Sequence, residues 1–120
     1  MIMGVGVDTV QLSRFEAKLT ETPRLVDRLF LDIETVEASP QTLAGRFAAK
    51  EAVIKSMAGD PGIEWHGIEV GKETTGKPVI WLHGQTAQIA LRLGIRKFHL
   101  SISHDGDHAV AFVVAEGEAQ

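Results

Sequence analysis

The chain has 120 residues, enough for one domain with a sizeable core and too few for two. Hydrophobic residues make up 44% and charged residues 23%, an ordinary globular balance, and the net charge of −4 argues against a broad nucleic-acid footprint while leaving room for a local basic patch. There is no cysteine, which excludes disulfides, thiolate metal sites and cysteine nucleophiles together and fits a reducing compartment. No apolar run approaches the ~18 residues that span a bilayer. The opening MIMGVGVDTVQLSR has no basic region and reaches Asp8 early, unlike a signal peptide. The expectation is a soluble cytoplasmic domain over residues 1–120, with neither membrane nor nucleic acid as partner.

In chain order, MIMGVGVDTV predicts a first strand, with Met1, Met3, Val5, Val7 and Thr9 alternating with small or polar residues and Asp8 near the end. Ser13 and Glu16 have the spacing of a capping box and predict a short helix through Leu19. Thr22-Pro23 predicts the cap of a second short helix running toward Phe30, and Asp32 to Ala38 a further turn or two. Ser39-Pro40 repeats the signal and opens the longest helix, Pro40 to about Met57, which Gly59-Asp60-Pro61-Gly62 breaks.

Strands follow at Gly67 to Lys72 and Val79 to Leu82, with a hairpin loop over 73–78. Thr86 to Leu93 has helical spacing and stops at Gly94. Lys97 to Ser103 alternates, with Phe98, Leu100 and Ile102 on one face. His104 to Asp107 predicts a turn, His108 to Ala115 a strand buried on both faces, and Glu116 to Gln120 a frayed tail. The fold class is α+β: a largely antiparallel sheet with one long helix and short helices.

The long helix poses the functional question. In RFAAKEAVIKS, Leu43, Ala44, Phe47, Ala48 and Ile54 lay down an apolar face, yet Glu51 follows Phe47 by four residues and Lys55 follows Glu51 by four. Glu51 is either on a solvated edge of the amphipathic helix, or one half of an intrahelical ion pair with Lys55, or a partly buried carboxylate that needs a cation to answer it. Asp8 is either a turn acceptor or a second ligand for that cation. A Mg²⁺ site needs only one or two protein carboxylates when phosphates supply other oxygens. GVGVD lacks the G-x-G-x-x-G spacing of a dinucleotide fold.

His104 closes LSISHD, where Ser101 and Ser103 project from one strand face and a glycine turn follows, a grouping that suits a phosphate oxygen. Ser103, His104 and Asp105 are sequence neighbours and so do not make a hydrolase triad. Arg14 with Lys18, and Arg24 with Arg28, are four apart; they form either a solvated basic face or a docking stripe for an acidic partner.

These residues converge on a family. GVGVDTVQLSRFE, RFAAKEAVIKS, WHGIEV with the later GKP, and LSISHDGDHAVAFVV together resemble the holo-acyl-carrier-protein synthases, the small trimeric 4′-phosphopantetheinyl transferases. The resemblance implies a Mg²⁺-dependent transfer of phosphopantetheine from coenzyme A to a serine of an apo acyl carrier protein or carrier domain. Adenosine 3′,5′-bisphosphate is the leaving group. It implies that Asp8 and Glu51 are the metal ligands, that Lys55 contacts the coenzyme A phosphates, and that Arg46 and His104 lie near the nucleotide phosphates. It further implies that Arg14 faces the carrier, and that the site lies between subunits of a homotrimer. The base that takes the serine proton is left open.

The sequence departs from the family's usual K-A-L-G-x-G-I by running Lys55-Ser56-Met57-Ala58-Gly59-Asp60-Pro61-Gly62-Ile63, so coenzyme A contacts by that loop are not carried over. Nor are contacts by LFLDIETVEASPQTLAG. Two rivals are a non-catalytic coenzyme A-binding module and a pyrophosphate hydrolase. The first predicts binding without product, the second nucleotide release without a carrier.

Overall fold

The computed structural model describes residues 1–119. Strand β1 (Ile2–Gln11) leads into helices α1 (Leu12–Glu21), α2 (Leu25–Leu29) and α3 (Asp32–Thr35), then the long α4 (Pro40–Ser56). A 3₁₀ turn (Trp65–Gly67) precedes the hairpin of β2 (Ile68–Lys72) and β3 (Pro78–Leu82); α5 (Gly84–Arg92), β4 (Ile95–Asp105) and β5 (His108–Gly117) complete the order. The strands form a three-stranded sheet, β1-β5-β4, and the separate pair β2-β3; every pairing is antiparallel. The fold is the α+β arrangement that the sequence predicts.

Helix α4 lies across β1 and β5. Its buried side is small: Ala44, Ala48, Ala49, Ala52 and Val53 meet Ala109, Ala111, Val113 and Ala115 of β5. Glycine lets β1 come closer still. A Cβ at Gly4 would lie 2.0 Å from the Ser56 carbonyl oxygen, and one at Gly6 would lie 1.9 Å from that of Ala52. Any side chain there would push the strand off the helix. The face of β1 turned to the core is therefore Gly4, Gly6, Asp8 and Val10, and the valines look outward.

This changes the reading of both strands. Val5 and Val7 are 55% and 52% exposed, and so is 46% of Phe112 opposite Val7. Strand β5 alternates buried with exposed or half-buried residues over its length instead of being buried on both faces. Val110, Phe112 and Val114 belong to the same open face as Val5 and Val7. The strand also keeps Glu116 and Gly117 within the sheet, and Glu118 N donates to the Gly94 carbonyl at 3.0 Å, so the expected fraying does not begin at Glu116; Gln120 lies outside the described residues.

Other differences are local. The expected Ser13–Glu16 capping box does not form, because α1 begins at Leu12 and its first turn is capped from the β4–β5 turn. The Asp107 carbonyl accepts from Leu12 N (2.7 Å), and its carboxylate accepts from Ser13 N (3.0 Å) and Ser13 Oγ (2.6 Å). Those Ser13 bonds hold the Asp107 carboxyl below its ordinary range. Thr22 is not the N-cap of α2, which starts only at Leu25 after Arg24; it ends α1 instead, its N–H donating to the Lys18 carbonyl at 2.9 Å. Ser39 is one: its Oγ accepts from Thr42 N at 3.1 Å, with Pro40 opening α4. Gly94 follows α5 with φ +81°, the left-handed stop that the sequence predicts. His104 and Asp105 continue β4, leaving a two-residue turn at Gly106-Asp107.

Candidate active site

The close approach of β1 to α4 delivers Asp8 to the helix. Two residues beyond Gly6 and on the same strand face, its Oδ1 accepts from Lys55 Nζ at 3.1 Å. The same ammonium donates to the Val7 carbonyl at 3.0 Å. Asp8 keeps 18% of its side chain exposed and Lys55 keeps 53%, so the pair sits at a mouth open to solvent.

Glu51, one turn before Lys55, is half-buried. Burial raises its pKa above the ordinary carboxylate range, the negative charge of Asp8 raises it further, and Lys55 only partly opposes the two. Two carboxylates thus repel one another across a partly dry space that one exposed ammonium does not neutralise. Their oxygens are hard donors, and the donor set fits one hard divalent cation that takes its remaining ligands from phosphate or water. Among the described residues no cluster of three or more His, Cys, Asp or Glu could hold a metal.

Asp8 and Glu51 line a cleft of about 560 Å³. Phe15, Leu25, Leu29, Phe47 and Trp65 give it an apolar wall, and Arg14, Lys18 and Arg28 give it a basic one. Phe15 stacks on Phe47 with ring centres 5.2 Å apart, and Phe47 meets Trp65 at 5.6 Å. These rings fix α1 against α4. Arg14, Lys18 and Arg28 of the predicted basic stripe therefore border the carboxylates.

Arg46 and His104 lie elsewhere. With Thr42, Gly45, Gly71 and Lys72 they line a smaller recess of about 250 Å³. Arg46 precedes Glu51 by five residues, about 7.5 Å along the axis and well around the helix. His104 Nε2 sits 2.9 Å from the Gln41 carbonyl oxygen, passing close over Gly45. The recess lining holds Arg46, Lys72 and His104 and no carboxylate, which suits an anion. Ser101 and Ser103 are not part of it. They pair with Phe112 and Val110 on the open sheet face, so strand alternation splits the expected Ser–Ser–His grouping. One chain thus brings Asp8, Glu51, Lys55 and Arg14 together and keeps Arg46 and His104 apart from them.

A second carboxylate–lysine pair has no counterpart in the sequence expectations. Lys50 and Glu34 are both fully buried, with Lys50 Nζ 2.7 Å from Glu34 Oε1. The ammonium also donates to the carbonyls of Trp65 (2.9 Å) and Ile68 (2.7 Å). Glu34 Oε1 accepts from Leu31 N (2.8 Å), and Oε2 from Val70 N (2.9 Å). The available signal is position: Lys50 falls three residues after Phe47 and three before Val53, inside the apolar stripe.

The sequence model of the 4′-phosphopantetheinyl transferase superfamily matches residues 4–113. A holo-[acyl-carrier-protein] synthase of Frankia casuarinae is 51% identical over 115 residues, covering 96% of this chain and 98% of that one. The chain belongs to the holo-[acyl-carrier-protein] synthase family. Its backbone follows the same family. The crystal structure of a holo-ACP synthase from Plasmodium yoelii superposes with a TM-score of 0.89 at 28% identity, covering 98% and 97% of the two chains. The Helicobacter pylori synthase in complex with coenzyme A gives 0.84 at 26% identity, covering 93% and 99%. The synthase fold is thus the setting in which the Asp8–Glu51 cleft and the Arg46–His104 recess sit.

Proposed function

We propose that this chain transfers 4′-phosphopantetheine from coenzyme A to a serine of an apo acyl carrier protein. The observation that carries the reading is the Asp8–Glu51 pair, two mutually repelling carboxylates at an open cleft in a holo-acyl-carrier-protein synthase chain. The serine Oγ attacks the phosphopantetheine phosphorus and passes its proton to water. The bond from that phosphorus to the pyrophosphate bridge breaks, and adenosine 3′,5′-bisphosphate leaves with the electron pair. Neither the silent binding module nor the pyrophosphate hydrolase is favoured.

Asp8 and Glu51 are assigned as the ligands of one Mg²⁺. Held there, the ion would supply charge neutralisation at the pyrophosphate and polarisation of the attacked phosphorus. Lys55 already donates to Asp8, and from the same position it donates to phosphate oxygens. The cleft's aromatic wall excludes water from one side. Arg14, with Lys18 and Arg28 beside it, is assigned to an acidic carrier in the cytoplasm, one serving fatty acid synthesis.

Arg46 and His104 are assigned to the nucleotide phosphates of coenzyme A, from a second subunit. The separation of the recess from the cleft supports this, since one chain does not join them. The open sheet face of Val5, Val7, Val110, Phe112 and Val114 supports association with other copies, because so continuous an apolar surface calls for a cover, and the family resemblance makes that assembly a homotrimer.

The test is intact-mass measurement of apo acyl carrier protein incubated with this chain, coenzyme A and Mg²⁺. The expected result is a gain of one phosphopantetheine that a chelator abolishes. Nucleotide release without carrier modification would overturn the reading. Light scattering should return three times the chain mass of 13.0 kDa.

A further inference from the structure

Arg46 reaches its recess under restraint. Its Nη1 donates to the backbone carbonyl of Glu34. That carbonyl belongs to α3, a helix of four residues whose Ile33 is exposed, as is Val36 just after it. So short a helix does not hold itself together in water. What fixes it is the Glu34 side chain. Its carboxylate takes Lys50 Nζ from α4, Val70 N from β2 and Leu31 N from the entry to α3. Lys50 lies four residues after Arg46, on the same side of α4, and its other two donors reach Trp65 O and Ile68 O. Every polar side-chain atom buried here has a partner.

We propose that Glu34 is a positioning residue for Arg46: its buried carboxylate, locked by Lys50, holds in place the carbonyl that aims the guanidinium into the recess. The proposal rests on the reading of that recess as the nucleotide-phosphate site and deepens it. An arginine side chain carries about 2 kcal/mol of rotamer entropy. One anchored donor commits that entropy before the ligand arrives and leaves the rest of the fork free for phosphate. The recess wall opposite is backbone at Gly71 and Gly76 with Lys72, so the anion is gripped between α4 and the β2–β3 hairpin that Glu34 also binds through Val70. One carboxylate therefore sets the spacing of both walls.

The experiment is steady-state kinetics of Glu34→Gln in the otherwise native chain and in an Arg46→Ala chain, with coenzyme A and apo carrier varied separately. Glu34→Gln should raise the coenzyme A KM roughly tenfold, the scale of one hydrogen bond to a charged group. The kcat and the carrier KM should stay near the native values. In the Arg46→Ala chain, the same substitution should add almost nothing to a coenzyme A KM already raised. An equal further rise there would overturn the proposal and leave the recess reading standing. A normal coenzyme A KM for Arg46→Ala alone would overturn both.

Glu34→Gln leaves a buried ammonium without its counter-charge, so the paired Glu34→Met/Lys50→Met variant serves if the single one does not fold. It exchanges the ion pair for apolar side chains of similar length, and the same test of non-additivity with Arg46→Ala applies to it.

Discussion

Helix α4 contributes to two acid–lysine groupings within six residues, Lys50 with Glu34 of α3 and Glu51 and Lys55 with Asp8 of β1, and they have opposite surroundings. Lys50 and Glu34 are fully buried and fully bonded, joining α3, α4 and β2. Glu51, the next residue along, looks into a cleft with Asp8, where burial and like charge push its pKa up and Lys55 is half in solvent. The chemistry is the same and the difference is satisfaction. A buried pair whose every donor and acceptor is met holds a fold, and nothing about it needs a ligand. A half-buried pair of like charges is a standing conflict that a cation resolves. Proximity of charged residues therefore says little about function until their partners are counted.

The contrast can be broken most decisively at Glu51. Glu51→Gln should lower transfer at saturating Mg²⁺ on the order of 10²-fold or more, because the proposed metal site would lose one of its two carboxylates. Its thermal stability in chelator should not fall, since a repulsion with Asp8 is removed. Near-native transfer would remove Glu51 from the metal site. Next comes the lysine comparison. Lys50→Met should cost about 3–5 kcal/mol of stability, the penalty of leaving Glu34 buried and unpaired. Lys55→Met should leave the melting temperature almost unchanged and reduce turnover instead. If denaturation showed the reverse, the division between a structural and a functional pair would be lost.

The pH dependence sharpens the same division. The folded chain holds Glu51 above its ordinary 4.5. The stability associated with its proton is thus fully present below 4.5 and is lost as pH rises through the higher folded value. In chelator, the melting temperature of the native chain should fall across that window relative to Glu51→Gln. Asp8→Asn, which takes away one of the two causes, should move the window down, and saturating Mg²⁺ should reverse the loss. A difference curve that stays flat would mean that Glu51 is not strained. The smallest effect is at the cleft's rim. Arg14→Glu should raise the carrier KM roughly three- to tenfold, more at low salt, and leave the coenzyme A KM alone. An unchanged carrier KM would place the docking surface elsewhere.

Part of this organisation is legible in the amino-acid sequence. Period-two alternation marks β1, and proline and glycine bracket α4 at Ser39-Pro40 and Gly59-Asp60. The spacing of Phe47, Glu51 and Lys55 points at a charged patch on a packed helix. The fold does bring Asp8 to that patch. The core side of β1 is not legible, because the valines look like the face to bury. In fact the glycines are buried, since only they let a strand backbone touch helix carbonyls. Nor is α1's cap legible. Ser13 and Glu16 have the local pattern, yet Asp107 supplies the bonds from 94 residues away.

The amino-acid sequence by itself determined the elements, their order and the side chains available for a metal and a phosphate, because periodicity, caps and breakers act over a few residues. Tertiary packing settled which lysine is walled in and which stays half in solvent. It also turned the valine face of β1 outward and kept Arg46 and His104 apart from Asp8 and Glu51 within one chain. Burial and hydrogen-bond satisfaction depend on what lies across the fold: Glu34 is 16 residues from Lys50, and Val70 is 36 from Glu34. No local pattern carries that information.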